Sequence, residues 1–125
     1  MKQRWDFNTS KAIDDLAYEL NLRETVPHWD ATAKLSYTPS NYKDIELYIQ
    51  HYKSLNSQDK MFVLMEMIIG AIVDQSTESE FLKHWTSTKE FLIKDFHIHK
   101  FTINYWEDMT ESNFENCKLI IPILV

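Results

Sequence analysis

The residues best suited to do chemistry are His97 and His99, one residue apart, and the single Cys117. On a strand, side chains two apart point the same way, so the pair would offer two imidazole nitrogens to a metal, with Cys117 as a third ligand. A zinc-type centre needs a third and fourth ligand at recognisable separations. None is marked here, so structural or surface histidines are the expectation, with no metal and no cofactor. Nothing around Cys117 suggests a lowered thiol pKa or an oxyanion hole, which argues against a nucleophile. The only glycine, Gly70, falls inside an apolar run. The chain therefore has neither a phosphate-cradling loop nor a nucleophile elbow, and it is not expected to be an enzyme.

A different chemistry is written in the segment from Trp106 to Asn116. Glu107, Asp108, Glu111 and Glu115 occur there with no base among them, flanked by Trp106, Met109 and Phe114. From Phe101 onward four acids face only Lys118, a charge of −3 and half of the chain's −6. Carboxylates attract a basic surface over distance, and large side chains beside them anchor an interface, so this segment is the first candidate for docking a partner. Asp14, Asp15 and Glu19, on the polar face of the first helix, are the second candidate.

The element that positions everything else is the run 57–75. Between Met61 and Val73 only Glu66 and Gly70 interrupt apolar side chains. That is too long for an ordinary strand and too short for a membrane span, and it predicts a core helix surrounded by others. Ser57 is placed to cap it, and Asp59 suits its first turn. Glu66 and Gly70, four apart, share a narrow stripe with Asp59 and Asp74, where the helix meets water or a partner.

The neighbours follow from the same spacing. Ile13, Leu16, Ala17 and Leu20 predict a helix from about Lys11 to Asn21, and residues 25–41, with Pro27 and Pro39, a loop holding one helical turn. Ile45, Tyr48, Ile49, Tyr52 and Leu55 form the inner side of a second helix. Only Asn56 and Ser57 separate it from the central helix, which makes the two antiparallel neighbours. Thr77-Glu78-Ser79-Glu80 reads as a capping box opening a helix with Phe81, Trp85, Thr88, Leu92 and Phe96 inward. From His97 to Tyr105 the pattern alternates and reads as a strand, paired in a small C-terminal hairpin with Lys118–Val125. The competing reading continues the helix through Trp106 and leaves the tail as an apolar strap. The fold expected is mainly α, one domain over residues 1–125 around one buried central helix, with that hairpin.

Composition bounds the function. A net charge of −6 with no block among the 13 Lys and Arg argues against nucleic acid and favours a basic partner. A lone cysteine and an N-terminus without an apolar core point to a reducing cytoplasm, and no membrane association is expected.

Three stretches carry a family resemblance: Leu47–Leu55, Asp59–Gln75 and Lys94–Trp106. Together they resemble small bacterial cytoplasmic immunity proteins of contact-dependent growth inhibition and related polymorphic toxin systems. The resemblance implies a protein that binds one cognate toxin domain, commonly a nuclease, as a 1:1 heterodimer and blocks its active site or substrate path. A compact acidic body suits the cationic surface that a nuclease shows to phosphates. The alternative is a helical adaptor or structural interaction protein without a toxin partner.

Overall fold

A computed structural model of the chain describes residues 7–25, 41–73, 75 and 77–109. Every regular element among them is helical: α1 (Thr9–Glu19), a one-turn α2 (Leu22–Thr25), a 3-10 turn (Tyr42–Asp44) leading into α3 (Ile45–Lys53), α4 (Gln58–Val73), α5 (Glu78–Lys94) and α6 (Phe96–Met109). None of these helices is long and apolar enough to cross a membrane.

The apolar run behaves as its composition demands. From Phe62 to Ile72 every residue of α4 is buried except Glu66 and Gly70. Ser57 Oγ accepts from the Lys60 amide at 3.3 Å, fixing the start of the helix. A helix apolar on all sides needs cover on all sides, and α4 touches α1, α3, α5, α6 and the 3-10 turn. Phe7 stacks on Phe62 at 4.2 Å between ring centroids, and Phe101 of α6 approaches the same ring at 6.3 Å.

The helix ends use side chains where glycine is missing. Asn8 caps α1 by accepting from the Lys11 amide. Asn21, at φ 55°, takes the left-handed residue that ends a helix, a conformation asparagine tolerates better than most residues. Thr77 Oγ1 accepts from the Glu80 amide at 3.2 Å and opens α5 as expected, while the Glu80 carboxylate lies 3.5 Å from His84 Nε2.

Two expectations fail at the α5–α6 corner. The segment 97–105 is helical, not a strand, so the first arm of the expected hairpin does not exist; Lys118–Val125 lies outside the described residues. Over 97–104 the buried residues are Ile98, His99, Thr102 and Ile103. This is a 3.6-residue face on which His99 and Thr102 turn inward, and the strict alternation of apolar types had disguised it. Phe96, expected inward on α5, is instead 46% exposed. The reason is a break at Asp95, whose amide closes α5 on the Phe91 carbonyl at 2.9 Å and whose carbonyl accepts from Ile98 at 2.8 Å, so Phe96 begins a new helix.

Candidate interaction face and buried polar network

On α1 the acids separate into two lines. Asp15 and Glu19, four apart, run along the side facing α3 and α4. Lys11 Nζ binds Asp15 Oδ2 at 3.0 Å. Glu19 joins three helices: its Oε1 lies 2.6 Å from His51 Nε2 of α3, and its Oε2 accepts from Lys60 Nζ of α4 at 2.5 Å. Burial resists ionisation of Glu19, but the hydrogen bonds and charges of Lys60 and His51 outweigh it and hold the carboxyl below its usual range. Glu19 is thus engaged in holding the fold together.

The second line points outward. Asp14 is exposed, and one turn on, Tyr18 is 89% exposed, the highest value among the exposed large hydrophobic side chains of the described residues. A tyrosine on the polar face of an amphipathic helix gains nothing from burial in the fold. It does offer a rigid, amphipathic surface of the kind that anchors interfaces. Beside this face a cleft of about 360 Å³ is lined by Asn8, Lys11, Ala12, Asp15, Ser57, Asp59 and Lys60, with two lysines balancing two aspartates.

The other candidate residues lie elsewhere. Trp106, Glu107, Asp108 and Met109 form the end of α6, while Glu111, Phe114, Glu115 and Cys117 lie outside the described residues. His97 and His99 diverge, because a separation of two on a helix is about 200° of rotation. His97 is exposed and His99 fully buried. Among the described residues no group of three or more His, Cys, Asp or Glu is arranged to hold a metal ion.

His99 belongs to a network that spacing did not reveal. The Tyr52 hydroxyl of α3 donates to Asp95 Oδ2 at 2.8 Å and lies 2.7 Å from His99 Nε2. With the phenol proton on Asp95, His99 donates from Nε2 and leaves Nδ1 as a bare acceptor. Neither Nδ1 nor the Thr102 hydroxyl has a partner among the described residues. Burial pushes the His99 pKa down to about 4, against the opposing pull of Asp95. Burial and the Asp95 hydrogen bond raise that of Tyr52. At neutral pH both groups are uncharged, and the network pins α3 to the α5–α6 corner.

Sequence reasoning missed Tyr18, His51, Lys60 and Asp95. Only Tyr18 left a signal, as an aromatic side chain four residues after Asp14 on the charged side of its helix. Compared with known proteins, the chain matches no family model, no curated protein and no solved structure.

Proposed function

We propose that this chain is an immunity protein that binds and neutralises a basic toxin domain, of the nuclease class, through an acidic surface. The observation that carries the reading is the outward line of α1, where exposed Asp14 stands one turn from Tyr18 at 89% exposure on a chain of net charge −6. Carboxylate and phenol together suit an arginine-bearing surface, the carboxylate by charge and the ring by cation–π stacking. The end of α6 and the acids after it, Trp106, Glu107, Asp108, Met109, Glu111, Phe114 and Glu115, are the second part of the proposed surface. The engagement of Glu19 by His51 and Lys60 makes it the support of this face and not its contact.

The test is binding of the purified chain to the toxic domain encoded beside it, with rescue of cells that express that domain. Paired substitutions, Asp14→Lys with Tyr18→Ala, are expected to slow association at least tenfold at low salt and to leave the helical content unchanged. Charge reversal at Glu107, Asp108 and Glu111 probes the second patch in the same assay. Absence of both binding and rescue with the unmodified chain would falsify the reading.

A further inference from the structure

Along α5, Glu78, Leu82, Thr86, Lys89 and Ile93 all fall within about 40° of one line at 100° per residue. All five are exposed, with Leu82 at 44% and Ile93 at 61%. The Thr86 hydroxyl is used internally, donating to the Leu82 carbonyl at 2.9 Å. Just past the end of α5 stands Phe96, 46% exposed, with Lys100 Nζ 5.9 Å above its ring. The line thus has an acid at its start, bases towards its end, and one large apolar side chain in each half.

We propose that this line is the contact of a symmetric homodimer, in which the α5 helices of two copies of the chain pair antiparallel. The pattern is complementary to itself. A two-fold axis midway between Leu82 and Ile93 sets Leu82 of each copy against Ile93 of the other, and Thr86 against Lys89. Lys83 and Glu90 both lie about 80–100° to one side of the line, so the same axis brings Lys83 of one copy within half a turn of Glu90 of the other. Glu78, at the acidic start, meets the end that carries Phe96 and Lys100. The antiparallel helix dipoles are also favourably opposed. A partner of uniform charge would match one half of this line and repel the other, whereas a second copy matches both. In the single chain Lys83 lies 3.5 Å from Glu46, both side chains largely exposed, which leaves the lysine able to reach across. With two or three large apolar side chains from each copy, the contact is small, and association belongs in the range from about 10 µM to about 1 mM.

Sedimentation equilibrium of the full chain from about 5 µM to about 1 mM reads this directly. A monomer–dimer equilibrium is expected. Ile93→Lys should raise the dissociation constant at least tenfold, with an unchanged circular dichroism spectrum. Lys83→Glu and Glu90→Lys each place like charges across the axis and should weaken association. An equimolar mixture of these two variants restores opposite charges at every crossing and should associate at least as well as the unmodified chain. A chain that stays monomeric at 1 mM overturns the proposal. So does a dimer indifferent to Ile93→Lys, or a variant mixture that associates no better than its components.

Discussion

Glu19 and His51 meet 2.6 Å apart on the rim where α1, α3 and α4 converge, while Asp95 and His99 meet through the Tyr52 hydroxyl inside the fold. Each contains a carboxylate and a histidine, and each ties α3 to a neighbouring helix. They differ in water. The Glu19 and His51 side chains remain 26% and 22% exposed, and Lys60 adds an ammonium, so the charged carboxylate is the stable form. His99 is completely buried, and the network works with it neutral. The same residue types therefore make an ionic clasp at the rim, where Lys60 joins the carboxylate, and a pin within, where burial keeps the histidine neutral.

The largest consequence is in pH. The ordinary His pKa of 6.5 becomes about 4 in the fold, chiefly through burial. Between these values the unfolded chain binds a proton that the folded chain refuses. Stability from this group is complete above pH 6.5 and falls as pH drops towards 4, by on the order of 3 kcal/mol in all. Urea midpoints measured across that window should decline in the natural chain. In His99→Leu, which also removes the partnerless Nδ1, this decline should flatten; an identical pH profile in that variant would place the titration in another group.

Tyr52→Phe removes the hydroxyl on which both Asp95 and His99 depend. The loss of two hydrogen bonds within a buried network costs about 1–3 kcal/mol. Thermal unfolding should show it as a clear drop in Tm, and a melting temperature within a degree or so of the natural chain would mean that water replaces the phenol without cost.

These two knots also mark how far the sequence could be read. The helices of the core were legible because Ile13, Leu16, Ala17 and Leu20, or Ile45, Tyr48, Ile49 and Tyr52, repeat with the helix period, and burial follows from that alone. Ser57 and Thr77 were legible as caps because capping is local. The segment 97–105 was misread because over so short a stretch apolar alternation satisfies a strand template, and nothing in the sequence says that Tyr52, 47 residues before His99, needs a partner there. The ties of Glu19, a docking candidate by sequence, are hidden for the same reason, since Lys60 lies 41 residues away. Of the candidate interaction face, the acids are plain in the sequence and the aromatic leaves a fainter signal, because Tyr18 belongs to neither the apolar stripe nor the charges.

The smallest effect belongs to the rim. Glu19→Gln keeps the size of the side chain and removes the charge that Lys60 and His51 share. A partly exposed ion pair contributes little, so the loss should be about 1 kcal/mol or less in dilute buffer and should shrink further as salt is added. Its pH window differs from that of His99. Because the Glu19 carboxyl is held below its ordinary 4.5, its contribution is complete above that value and is lost only as the pH falls through the lower, folded pKa. Chemical denaturation at pH 7 in low and high salt, on Glu19→Gln and the natural chain, separates the two knots. The rim variant should converge with the natural chain at high salt, whereas Tyr52→Phe should keep its deficit, since no ion reaches the buried hydroxyl. If both deficits respond alike to salt, the division between an ionic clasp and a pin built on a neutral histidine does not describe this fold.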